Sequence, residues 1–94
     1  MKKPAPKRDG HKQPLIADAI YYVEDSRQII GNCMLFWCAE AKGYTCNLAE
    51  AGKYTGTEVM GMRDTDIPWP VEFIEAHTVV HVRRDALRRN AKDA

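Results

Sequence analysis

The sequence predicts a small α+β domain, with a three- to four-stranded antiparallel sheet and short helices on one face. Three observations lead there. The runs AIYYVED (19–25) and CMLFWCA (33–39) are β-branched and aromatic and are bounded by turn residues, as strands are. Two helix-start signatures follow, N-x-x-E at 47–50 and T-x-x-E at 55–58. After Pro70 no glycine or proline interrupts the chain, which leaves room for a longer last helix.

Taken in order, residues 1–14 hold five Lys/Arg, one Asp and three prolines, and no large side chain after Met1. Such a segment cannot bury enough apolar area to offset its ordering entropy, so a disordered basic tail is expected. Residues 15–82 form the single folded domain and carry four Lys/Arg against ten Asp/Glu. Residues 83–94 are basic again, a helical or frayed tail. The net charge of +1 therefore hides an acidic body between two cationic ends.

Within the body, Asp25-Ser26-Arg27 and Gly31-Asn32 read as turns between the first two strands. The second strand is apolar on both alternating faces, which suits a central or doubly covered strand. A hairpin loop Ala41-Lys42-Gly43 would set Glu40 opposite Tyr44 and Cys38 opposite Cys46, with Gly43 supplying positive φ. A third strand spans 44–47. Asn47 would cap a brief turn over 48–51, with Glu50 reaching back to the cap amide, and Thr55 would start a short helix over 57–63. The tract DIPWP (66–70) reads as a rigid loop, because residues before proline avoid the helical region. Pro70 then suits the first position of a helix from about 70 to 77.

Length and composition limit the function. A chain of 94 residues makes one domain and buries about two thirds of its unfolded surface. No apolar run approaches the ~18–20 residues needed to span a bilayer. The basic start is followed by no apolar segment, so no secretory signal is expected there. A cytoplasmic protein with no membrane partner is expected, with Cys33, Cys38 and Cys46 as reduced thiols.

Metal chemistry finds little support. Cys33, Cys38, Cys46, His77 and His81 could supply four zinc ligands, but C-x4-C in a strand puts the sulfurs on opposite faces. The H-x3-H spacing of His77 and His81 lacks the glutamate of a helical zinc-protease motif, since Thr78 stands there. No nucleophile elbow or phosphate-cradling glycine loop occurs. The expectation is no enzyme, no catalytic residue, no metal and no cofactor.

Aromatic residues interleaved with acids are better candidates. Trp37, Tyr44, Tyr54 and Trp69, with Asp64 and Asp66, form a candidate partner-binding set. Exposed Trp and Tyr anchor protein interfaces, although core packing is the commoner fate of each ring in so small a body.

The pattern W-x5-G-Y-T-x-N-L-x-x-A-G-x-Y-T-x-x-E, followed by RDTDIPWP, resembles short uncharacterised proteins encoded by bacteriophages and prophages. It runs through Trp37, Gly43, Tyr44, Thr45, Asn47, Leu48, Ala51, Tyr54, Thr55, Glu58, Asp66 and Pro68. The resemblance implies an accessory gene of a mobile element whose product binds a host protein, an antiviral-defence component included. The alternative is a nucleic-acid-binding protein using Lys2, Lys3, Lys7, Arg8 and Lys12 at one end and Arg83, Arg84, Arg88 and Arg89 at the other. A homodimer is compatible with either, because a small sheet leaves edges to be paired.

Overall fold

In the computed structural model, residues 6–80 and 82 are described. The fold is α+β: five antiparallel strands and two short helices, in the order β1 (Ile20–Asp25), β2 (Phe36–Trp37), β3 (Tyr44–Thr45), β4 (Tyr54–Thr55), α1 (Gly56–Met60), β5 (Asp66–Pro70) and α2 (Val71–Ala76). Three-residue 3-10 turns at Ala39–Ala41 and Leu48–Glu50 link the short strands.

β1 is the centre of the sheet. β5 pairs with it over five positions, from Tyr21 opposite Pro70 to Asp25 opposite Asp66. The other edge is shared: Ile20 and Tyr21 meet Thr55 and Tyr54 of β4, while Glu24 meets Phe36 of β2. β3 lies outside β2.

Residues of β1 alternate between two cores. Tyr21 and Val23 pack with Tyr54 and Val59 of α1, and Tyr22 packs with Phe36 and Ile74 of α2. The helices thus cover opposite faces of the sheet, not one face. The cause is in β1 and β2 themselves, which are apolar at both parities and need cover on both sides.

DIPWP is a strand and not a loop. Pairing alternates along β5, so Ile67 and Trp69 take the hydrogen-bonded positions against Glu24 and Tyr22. Pro68 and Pro70 take the others, where a missing N–H costs the ladder nothing. The Pro68 carbonyl faces outward and accepts from the Gly10 N–H at 2.8 Å. The segment before residue 15 therefore joins the body from at least Arg8, earlier than the predicted boundary. Arg8 bridges to Pro14, buried Asp9 accepts from the His11 and Gln13 amides, and His11 meets Trp69 edge-on. This loop blunts what would be an open sheet edge.

Other boundaries shift for local reasons. The strand expected over 33–39 shortens to Phe36–Trp37, because Cys33 N–H closes a turn onto the Ile30 carbonyl. Trp37 pairs with Tyr44, and Cys38 N–H donates to Gly43 O, so the hairpin loop is Ala39–Lys42 and Cys38 does not face Cys46. Glu40 and Ala41 both take positive φ in that longer loop, and Gly43 follows at +89°. Asn47 caps its turn through the Ala49 amide, but Glu50 accepts instead from the Thr45 hydroxyl, which also receives the Asn47 amide. The capping box of α1 forms fully between Thr55 and Glu58. α2 ends at the β-branched run Thr78-Val79-Val80, where the Thr78 hydroxyl and the His77 ring engage the last carbonyls.

Candidate functional site

The predicted partner-binding residues divide among four places. Trp37, Tyr44 and Asp66 come together at one end of the sheet. Tyr54 is core, its hydroxyl donating to the Cys38 carbonyl and accepting from the Ala41 amide. Trp69 lies on the opposite face, inside a strand and not on a loop. Its Nε1–H donates to Glu24 at 2.9 Å, and its ring stacks on Phe73 at 5.4 Å. Asp64 is exposed in the turn before β5.

The sheet-end cluster holds two carboxylates that face each other in register, Asp25 and Asp66, with 0% and 4% of their surface exposed. Like charges directly opposite would repel, and each is answered by an arginine close in sequence. Arg27 grips Asp25 through Nε and Nη2 at 2.9 and 3.0 Å, while its own amide and the Gln28 side chain donate to the same carboxylate. Arg63 grips Asp66 at 3.2 Å through both Nε and Nη2, and the Trp37 indole donates to it at 2.9 Å. The ring of Tyr44 packs 4.2 Å from that of Trp37, and its hydroxyl accepts from Arg27 at 2.8 Å. The Arg63 guanidinium sits 5.5 Å from the Trp37 ring centre.

These contacts set the protonation. Hydrogen bonds from Arg27 hold Asp25 far below the usual carboxylate range despite its burial. Burial alone would raise Asp66, but Arg63 and Trp37 outweigh it and the net shift is downward. Two carboxylates fixed in the ionised form, with their oxygens occupied, are poor proton shuttles near neutral pH. The arrangement works as a clasp, joining β1, β2, β3 and β5 through side chains. Arg27, Arg63 and Asp25 were missed as site residues. The signals were present as D-x-R at 25–27 and R-x-x-D at 63–66, short spacings that let a side chain fold back on its own turn.

Among the described residues, no group of three His, Cys, Asp or Glu is placed to hold a metal ion. Cys33, Cys38 and Cys46 are free and half-buried. Burial, with Cys33 adding to it, pushes the Cys46 thiol upward and away from the reactive thiolate. His77 caps the end of α2, so H-x3-H does not lie on a helix, and His81 lies outside the described residues.

Two concavities among the described residues bear on a site. The larger, about 930 Å³, runs between Tyr22, the 45–50 segment and Thr78–Val80. Thr45, Asn47, Glu50 and Thr78 give it polar walls, while Val79 is 78% and Val80 99% exposed along one side; Val82, outside the lining, is 71% exposed. The smaller, about 350 Å³, is formed by the N-terminal loop and gathers Lys7, Arg8 and Lys12 of the predicted cationic set. Lys2, Lys3, Arg83, Arg84, Arg88 and Arg89 lie outside the described residues.

Among the described residues, no helix is long and apolar enough to cross a membrane. Comparison of the chain with known protein families, curated proteins and solved structures returns no match.

Proposed function

We propose that this chain is a non-enzymatic binding module, an accessory protein of a phage or other mobile element that acts in the host cytoplasm by docking on a host protein. An antiviral-defence component is the kind of host target we favour. The observation that carries the reading is the exposure of Val79 and Val80 along the open 930 Å³ groove, with Val82 exposed two residues further on. Exposing such side chains forgoes roughly 25 cal/mol for each Å² left unburied, so a contiguous patch points to a partner. The run is β-branched and in no helix or strand, which suits pairing with an extended segment of another protein. The acidic body favours a partner with basic flanks. The mobile-element assignment rests on the sequence pattern from Trp37 to Pro68.

This reading moves the contact from Trp69, whose ring is engaged by Glu24 and Phe73, to the 79–82 segment. The test compares the native chain with Val79→Asp/Val80→Asp on a column exposed to host lysate. The native chain should retain one stoichiometric polypeptide, and the variant should lose it while keeping its thermal midpoint. With the purified partner the affinity should fall at least about tenfold, roughly 1.4 kcal/mol. Equal retention by both proteins, or no stoichiometric partner for either, overturns the reading.

A further inference from the structure

We propose that the N-terminal loop, residues 6–14, forms a binding site for a phosphate group, separate from the apolar groove. The loop folds back on itself around Asp9, whose carboxylate is buried and takes the His11 and Gln13 amides. That fold turns Lys7, Arg8 and Lys12 toward one concavity, closed on the far side by Asp64 and Ile67. Its 350 Å³ equals about a dozen water volumes, room for a phosphate and its first hydration shell.

Lys7 and Arg8 are held by backbone carbonyls and not by ion pairs. Arg8 donates one Nη1–H to the Lys12 carbonyl, and Lys7 donates to the Arg63 carbonyl, so each keeps further N–H groups for a ligand. Among the described residues, neither Lys7, Arg8 nor Lys12 is ion-paired, whereas Arg27, Lys42 and Arg63 all are. Burial drives the Lys7 ammonium down, only partly offset by Asp66 and Asp64, which is the condition a bound anion would relieve. Lys12 reaches its place with φ at +66°, a conformation that lysine rarely adopts. The chemistry shared by a free phosphate and a phosphodiester is an oxyanion, which the two ammonium groups and one guanidinium lining this pocket attract against the opposing charge of Asp64 on its far wall.

The experiment is an amide NMR titration of the full chain with inorganic pyrophosphate and, separately, with a single-stranded oligothymidylate. Saturable shifts at Gly10, Lys12 and Asp64 with pyrophosphate establish the site for a phosphate group alone. Shifts there only with the oligonucleotide make the source a nucleic acid. Lys12→Gln should weaken whichever probe binds about fivefold and lower the salt slope by about 0.7 for a single strand. Lys42→Gln, on the far hairpin, should leave both unchanged. The Trp69 indole resonance reports that the loop remains docked in each variant. No shift at those amides with either probe overturns the proposal, as does oligonucleotide binding that Lys12→Gln leaves intact and that deletion of residues 1–5 and 83–94 abolishes.

Discussion

Two aspartates stand opposite each other across β1 and β5, and each is tolerated there because an arginine within three residues supplies the countercharge. Asp25 is the more committed of the two, being fully buried with four donors on its oxygens. Asp25→Asn keeps the shape and removes the charge, leaving Arg27 facing a neutral amide. The expected cost is about 2 kcal/mol, below that of breaking a fully buried pair because Arg27 is partly solvated. Urea unfolding should show a lower midpoint at unchanged slope. Gly56 is a second residue with no freedom. A Cβ there would lie 2.0 Å from the Ile16 carbonyl, which is backbone and cannot swing away. Gly56→Ala should destabilise the fold by about 3 kcal/mol or more, read as a large fall in thermal midpoint. Unchanged stability would mean that the 15–19 segment does not cross the start of α1.

β5 makes a sharper prediction at the scale of the element, because its prolines and its hydrogen-bonded residues alternate. Pro68→Ala leaves the ladder intact and should cost about 1–2 kcal/mol, from the freer unfolded chain and the buried ring carbons that it removes. Ile67→Pro, one residue away, removes a ladder donor toward Glu24 and should cost about 3 kcal/mol or more. Equal effects of the two changes would refute the pairing register. The same strand shows where the sequence was hard to read. Two prolines one residue apart read locally as a loop, and only the parity of a partner strand reveals that both missing donors point outward. β1 was legible because AIYYVED is strand-like without help, and α1 because its capping box is local to four residues. The sides taken by the helices were not, since the double-sided apolar pattern of β1 and β2 implies cover on both faces without saying which helix supplies it. The clasp was half legible. Trp37, Tyr44 and Asp66 were marked as aromatics and an acid, but their arginines are named only once the turns at 25–27 and 63–66 bring them back.

At the scale of the whole molecule, the clasp is what makes stability depend on acid. Asp25 on β1, Trp37 on β2, Tyr44 on β3 and Asp66 on β5 are joined through Arg27 and Arg63, so four of the five strands share one electrostatic fastening. Both carboxylates titrate lower in the folded protein than in the unfolded chain. As pH falls the unfolded state takes up protons first, so the stabilisation is complete above the unfolded value, about 3.9, and is lost progressively below it. Each group contributes a slope of up to about 1.4 kcal/mol per pH unit, so the native chain should lose stability steeply between about pH 4 and pH 2. Asp25→Asn should be less stable near neutrality yet shallower through that acid window, since one of the two protons is no longer taken up. Denaturant midpoints across the window test both halves of this expectation. A native profile that is flat there, or a variant profile as steep as the native one, would show that the fold is not fastened by this pair. The groove lies on the other face from the clasp, and the N-terminal pocket meets the clasp through Lys7, which donates to the Arg63 carbonyl and not to either carboxylate. Any partner or phosphate binding that survives to pH 5 therefore reports on those surfaces with the scaffold still intact.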